Sequence, residues 1–204
     1  MFTRITTIQG SPQKTAAAVE YVETTGRPLL ESSEGSRGVA VLADDESGRT
    51  VVASYWDTAD ARLASESALA SQRGQAAAAG GGDVSIENYE VAVAQRLSMP
   101  AAGAPARILR AQGEPGPDTD DLIEFYRSEA LPLITGLSGL CSIQLLVDRE
   151  SGRAISATAW TDEAALAAAQ DGLADAAATF ADRFGDRNTG VENYKVVSTT
   201  LQMP

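Results

Sequence analysis

The chain has 204 residues, with 16 Lys and Arg against 28 Asp and Glu, one cysteine and no histidine. The absence of histidine excludes Ser–His–Asp and Cys–His catalysis, His-ligated zinc and His-ligated haem. A formal charge of −12 argues against nucleic acid and anionic membrane surfaces as partners, because both are held by clustered Lys and Arg. The single Cys141 excludes an intrachain disulfide or a Cys-rich metal site.

No apolar run approaches the roughly 20 residues that span a bilayer. Residues 1–10 are polar and lack the apolar core of a signal peptide. The expectation is a soluble cytoplasmic protein. Its basic residues are almost all Arg and its alanine content is high, a composition associated with GC-rich bacterial genomes.

In chain order, residues 2–9 read as a strand. Ser11-Pro12 reads as a cap with Pro at the first helical position, and 13–29 as the helix it starts. Residues 39–44 and 50–56 form a hairpin around the Asp44–Arg49 turn, 58–79 a second helix and 84–97 a fourth strand. Residues 101–105, Ala-Ala-Gly-Ala-Pro, read as a linker.

The same order then returns. Residues 107–112 are a strand and 114–117 a loop, with Asp118, Asp120 and Asp121 as negative charge at a helix start. Leu122, Phe125, Tyr126 and Leu133 form an apolar stripe on that helix, which Pro132 and Gly136 close. Residues 143–147 and 154–160 are a hairpin across Asp148–Arg153. Thr161-Asp-Glu reads as an N-cap with an acidic first turn. Leu166, Ala169, Leu173, Ala177, Phe180 and Phe184 share one helical face, and 191–201 is the last strand. A change of strand phase between Ile86 and Tyr89 predicts a bulge near Asn88, and by correspondence near Asn193.

The recurrence extends to residue identity. Arg4, Ile5, Gln9 and Gly10 return as Arg107, Ile108, Gln112 and Gly113. Glu46-Ser-Gly-Arg49 returns as Glu150-Ser-Gly-Arg153, and Trp56 returns as Trp160. Glu87-Asn88-Tyr89 returns as Glu192-Asn193-Tyr194, and both copies end in Met-Pro. The offset of 103 to 105 residues is the size of a small domain rather than a solenoid unit. The chain therefore divides into repeats at 1–100 and 106–204, joined by 101–105. Each is a ferredoxin-like βαββαβ unit of an α+β fold. One face of each sheet is left bare by its two helices, and the sister copy is the expected cover. The expected product is an intrachain pseudo-dimeric α+β barrel, monomeric or further assembled as a homo-oligomer.

This arrangement resembles the antibiotic biosynthesis monooxygenase-like domains of the dimeric α+β barrel superfamily. The features that carry the resemblance are the βαββαβ unit, the Asp-x-x-Ser-Gly-Arg hairpin, Trp56 and Trp160 closing the third strands, and the late Glu-Asn-Tyr strands. It covers nearly the whole chain, twice. It implies a barrel in which family members include cofactor-free oxygenases of polycyclic phenols, haem-degrading enzymes, isomerases and proteins of no known activity. Trp56 and Trp160 match a tryptophan that lies beside the pocket in some oxygenases. The histidine many members carry in the second helix is replaced by Ala64-Ser65 and Ala168-Ala169, which removes the haem-degrading reading. The asparagine the oxygenases place on the first strand has no counterpart, since Thr6, Thr7, Leu109 and Arg110 stand there.

Eight residues are pocket candidates, each with a plainer alternative. Trp56 and Trp160 are either packing anchors or aromatic pocket walls. Asn88, Tyr89, Asn193 and Tyr194 are either bulge residues with packing neighbours or an amide and a phenol offered to a ligand. Arg4 and Arg107 are either outward strand residues or inward cations that require an anion. Cys141 reads as an inert buried thiol, and no motif for a cofactor or metal is present. The second helix of the first copy lacks the counterparts of Phe180 and Phe184 and ends in a Gly-rich run. The first half is therefore expected to be more open or more mobile near residues 74–83. Two functions remain: a cofactor-independent monooxygenase-like protein acting on or binding a small hydrophobic or aromatic compound, or a non-catalytic ligand-binding or structural barrel.

Overall fold

The computed structural model describes residues 1–115, 119–185 and 187–203. The loop residues Gly116 and Pro117, the helix-start residue Asp118 and the closing Pro204 lie outside the described residues. The strands are β1 (Phe2–Gln9), β2 (Ser36–Asp44), β3 (Arg49–Trp56), β4 (Asp83–Arg96), β5 (Pro105–Gln112), β6 (Leu140–Asp148), β7 (Arg153–Trp160) and β8 (Arg187–Thr199). Their hydrogen-bonded order is β1-β3-β2-β8-β5-β7-β6-β4, closed on itself as an antiparallel α+β barrel. The expected linker is shortened by one residue, because Pro105 already belongs to β5.

Compactness does not follow the repeat boundaries at 1–100 and 106–204. One compact unit is Met1–Tyr89 with Tyr194–Met203, and the other is Glu90–Asn193. The cause is strand length. β4 has 14 residues and β8 has 13, about twice the common strand length. From Glu90 onward β4 pairs with β6, and from Lys195 onward β8 pairs with β2. The bulge expected near Asn88 and Asn193 lies four residues later in each copy. The register shifts between Val91 and Val93 on β4, and between Val196 and Ser198 on β8. The phase change at Asn88 and Asn193 instead marks where each strand leaves one compact unit for the other.

In the first unit, the predicted helix at 13–29 is built in pieces. A 3₁₀ turn over Pro12–Lys14 leads into α1 (Thr15–Tyr21), a π-helical turn over Val22–Gly26, and α2 (Arg27–Ser32). Pro28 has no N–H to complete an α-helical turn, and the wider turn precedes it. The second unit repeats the device with α5 (Thr119–Phe125), a π-helical turn over Tyr126–Ala130 and α6 (Leu131–Thr135). Pro132 was expected to help close that helix. It sits instead in the first turn of α6, where a missing donor costs little.

The hairpin-to-helix junctions also match. In the first unit, α3 (Ala59–Ala64) is capped by Thr58 and followed by α4 (Glu66–Gly80). In the second, α7 (Glu163–Ala168) is followed by α8 (Gln170–Phe184). The cap of α7 is Asp162, whose carboxylate accepts the Ala165 N–H at 2.9 Å, and not the expected Thr161. This hydrogen bond to the charged form holds the Asp162 carboxyl below the usual range.

The Gly-rich end of α4 is ordered packing. Gly81, at φ +69°, donates to Ala78 and Gly82 donates to Ala77, which satisfies the last carbonyls. A Cβ on Gly10 would stand 2.3 Å from the Gly80 carbonyl oxygen, so the end of α4 lies directly against the end of β1. The small residues that were expected to loosen this region let helix and strand approach closely.

Each unit has its own core between sheet and helices. In the first it joins Ile8, Val41, Val52 and Trp56 to Val22, Leu30 and Leu69. In the second it joins Ile143, Leu145 and Trp160 to Tyr126, Ile134 and Leu173.

Candidate functional site

Side chains at alternate positions of a strand share a face. On β5 this puts Arg107, Leu109 and Ala111 together, and on β7 Ala154, Ser156 and Thr158. Arg107 lies directly across from Thr158, and Leu109 from Ser156. Leu145 of β6 is in turn across from Ser156. Leu122, Tyr126, Ala130 and Ile134, four residues apart, form the facing stripe of α5 and α6. Leu173, Ala176, Ala177 and Phe180 of α8 complete the wall. Between these surfaces lies a cavity of about 100 Å³, mostly apolar and with its polar groups on the strand side.

The polar groups are specific. The Tyr126 phenol is 3.2 Å from the Ser156 hydroxyl. Burial pushes its pKa up to about 12, against a smaller lowering by the Ser156 hydrogen bond. It therefore remains a neutral phenol at ordinary pH. The Thr158 hydroxyl accepts the Trp160 indole N–H at 3.0 Å. Arg107 lines the cavity and has no ion pair or side-chain hydrogen bond among the described residues. Burial alone lowers its pKa, with no carboxylate to oppose it. A guanidinium remains charged in such a place, so among the described residues the Arg107 charge is uncompensated.

Phe180 is held by aromatic contacts. Its ring is 5.1 Å from that of Phe125 in an edge-on arrangement and 5.6 Å from that of Tyr126. Phe184 also packs on Phe125, and the Arg183 guanidinium lies 4.7 Å above the Phe125 ring.

The corresponding place in the first unit is filled differently. Its cavity, lined by Arg4, Thr6, Val52, Ser54 and the facing helices, is about 40 Å³. Gln72 and Arg73 occupy the positions of Ala176 and Ala177 and take up the volume. The expectation of a more open first half is thus reversed. Arg4 is 1% exposed. Its guanidinium donates to the Ser65 hydroxyl at 2.9 Å and the Arg62 carbonyl at 2.6 Å, and pairs with the Glu66 carboxylate at 2.7 Å. Glu66 also pairs with Arg73. Burial lowers the Arg4 pKa, Glu66 raises it, and Arg73 and Arg62 lower it again. Arg4 Nε, Arg73 Nη1 and Gln72 Oε1 are buried without a hydrogen-bond partner.

Of the eight candidates, only Arg4 and Arg107 line these two cavities. The outward reading fails for Arg4. Trp56 and Trp160 are both fully buried and lie in the cores. The Trp56 indole N–H has no partner. Tyr89 and Tyr194 are buried while Asn88 and Asn193 are exposed, and the Tyr89 hydroxyl donates to Glu87 at 2.9 Å. Sequence reasoning missed Tyr126 as a site residue because it fits the apolar stripe of its helix. Ser156, Thr158 and Glu66 were not among its candidates. Cys141 is 2% exposed. Among the described residues, no cluster of three or more Asp, Glu or Cys could hold a metal ion. No helix there is long and apolar enough to cross a membrane.

No known family profile matches the chain. The uncharacterized protein Rv2557 of Mycobacterium tuberculosis is 38% identical over 156 residues, covering 76% of this chain and 69% of that protein. The uncharacterized protein Rv2558 of the same organism is 28% identical over 208 residues, covering 100% of this chain and 86% of that protein. Among solved structures, a proposed monooxygenase from Lactobacillus acidophilus superposes with a TM-score of 0.71 at 9% identity, over 98% of this chain and 96% of that one. An anthrone oxidase-like protein superposes with a TM-score of 0.69 at 13% identity, over 97% and 92%. A ferredoxin-fold protein related to antibiotic biosynthesis monooxygenases, from Listeria monocytogenes, gives 0.56 at 10% identity, over 97% and 95%. The fold is thus that of the antibiotic biosynthesis monooxygenase-like α+β barrels.

Proposed function

For a chain that belongs to the family of the Mycobacterium tuberculosis protein Rv2557, and that has a monooxygenase-like fold, we propose that the second unit binds a small hydrophobic or aromatic compound. The observation that carries this reading is the cavity of about 100 Å³ between β5, β7 and α8, apolar on its helix side and polar on its strand side. A fold hosts many functions, so the site itself must support the assignment. Sites for small molecules combine an apolar lining with a few placed polar groups. Arg107, Tyr126, Ser156 and Thr158 are such groups here.

Size narrows the compound. A cavity of about 150 Å³ in another protein takes benzene. The ligand is therefore no larger than one ring or a short chain, and a three-ring anthrone exceeds the cavity. The test is titration of one-ring compounds against the protein, followed through the Tyr126 and Phe180 resonances by NMR. Shifts at Tyr126 and Phe180 support the reading, and the absence of binding by any one-ring compound ends it.

A second reading extends this one to cofactor-independent oxygenation, and Arg107 favours it. A substrate that ionises to a phenolate supplies its own electrons. A methylene activated by that phenolate becomes a carbonyl, one oxygen atom of O₂ entering the product and the other leaving as water. The Arg107 charge would stabilise the phenolate. Tyr126 cannot act as the base, because its own proton is held to about pH 12. The substrate proton would therefore leave to solvent. Oxygen uptake with one-ring phenols bearing an activated methylene tests this reading; no uptake, or uptake unaffected by Arg107→Gln, refutes the oxygenase and leaves the binding proposal standing.

A further inference from the structure

The two units present the same strand arginine to two different environments. Arg4 of β1 and Arg107 of β5 lie opposite Ser54 and Thr158 respectively. In the first unit the start of α4 supplies a carboxylate, Glu66, which meets Arg4 at 2.7 Å. Ser65 and the Arg62 carbonyl complete the set around Arg4. In the second unit α8 begins one copy later, and Gln170 stands where Glu66 stands. Ala169 replaces Ser65, and Leu166 replaces Arg62. Both side chains that satisfy Arg4, those of Ser65 and Glu66, thus have neutral counterparts, of which Ala169 has no hydroxyl, yet the arginine is kept.

Arg107 is half-buried, and with no partner among the described residues its guanidinium is free to take an anion. The second unit also differs in volume. Ala176 and Ala177 replace Gln72 and Arg73, and the cavity grows from about 40 to about 100 Å³. Both changes concern the same arginine: Gln170 stands at the position that pairs with Arg4, and Arg107 lines the enlarged cavity. We propose that the second unit takes a carboxylate-bearing ligand of about one ring, with its carboxylate on Arg107 in the position that Glu66 takes on Arg4. Its apolar body lies among Leu173, Ala177 and Phe180. The first unit is the closed version of the same site, with the ligand's anion built into the chain. The proposal rests on the second-unit cavity being the ligand site and adds the ligand's chemical class.

Planar guanidinium groups hold carboxylates through two parallel N–H···O bonds, and hydrogen bonds to charged groups outweigh neutral ones. The carboxylate of the ligand therefore dominates affinity, while the ring sets shape and size.

The test uses the full chain, with benzoate and benzyl alcohol as probes of nearly equal size, titrated by calorimetry. Benzoate is expected to bind at least about tenfold more tightly than benzyl alcohol. Arg107→Gln is expected to remove that preference while benzyl alcohol still binds. Gln170→Glu, which restores the first unit's carboxylate, is expected to abolish benzoate binding through a change remote from the apolar wall. Should Arg107→Gln fail to fold, Gln170→Glu and the wild-type probe ratio carry the test alone. Equal binding of the two probes to the wild-type protein overturns the carboxylate proposal and leaves the cavity as a binding site. Absence of binding by either probe overturns both. Undiminished benzoate binding by Gln170→Glu overturns the equivalence with Glu66.

Discussion

The Arg4 guanidinium and the Glu66 carboxylate meet at 2.7 Å, with Arg4 1% exposed and the Glu66 side chain 43% exposed. Arg4 lines the first unit's cavity, and Glu66 reaches it from the partly exposed start of α4. Removing the carboxylate strands a buried cation beside Arg73 and Arg62. Glu66→Gln should therefore lower stability by about 1–3 kcal/mol, less than a fully buried pair would cost because Glu66 is partly solvated. Urea denaturation measures this loss. Added formate should recover part of it by entering the vacated position.

The Tyr126 phenol gives the site a pH signature. Its folded pKa is pushed up to about 12 from an ordinary value near 10. The folded state thus holds this proton more tightly than the unfolded state. The associated stability is fully present below about pH 10 and is lost as pH rises through about 12. Spectroscopic titration of tyrosinate should show a late-ionising phase, and Tyr126→Phe should lower its amplitude. The same substitution removes the contact with Ser156 and should cost about 0.5–1.5 kcal/mol.

Filling the second-unit cavity separates binding from folding. Ala177 lines it and is partly exposed, so Ala177→Leu adds apolar volume where space exists. Stability should stay within about 1 kcal/mol of the wild type, or rise. Binding of one-ring compounds should disappear. Thermal unfolding and calorimetric titration of the same sample check both outcomes.

The two tryptophans should respond unequally. The Trp160 indole N–H donates to Thr158 at 3.0 Å, whereas that of Trp56 is buried without a partner. Replacement by Phe removes a satisfied donor in one case and an unsatisfied one in the other. Trp160→Phe should therefore cost about 1 kcal/mol more than Trp56→Phe, as read from paired denaturation curves. Equal losses would show that the hydrogen bond contributes nothing net.

The barrel was legible because its signals are local and occur twice. Strand alternation, the Ser-Gly-Arg turns and the returning Trp all sit within a few residues of the structure they specify. What escaped depends on partners distant in the chain. The domain division at 1–100 and 106–204 follows sequence recurrence. The compact units follow hydrogen bonding, which carries the ends of β4 and β8 across that division. Arg4 stayed between an outward and an inward reading because Glu66, which lets it be buried, is on a helix more than sixty residues away. Tyr126 was hidden by fitting a helical stripe, since its polar tip matters only once Ser156 of β7 is opposite. The openness of the first half was misjudged by counting the absent Phe side chains. Gln72 and Arg73 fill that space from the next turn of the same helix.

The most direct measurement is the electron density of crystals grown with a bromobenzoate, located by the anomalous signal of its bromine. The expected result is one bromine per chain, in the second unit among Leu173, Ala177 and Phe180, with the carboxylate on Arg107. Bromine in the first unit beside Arg4, or an empty second-unit cavity at saturating ligand, would contradict the account.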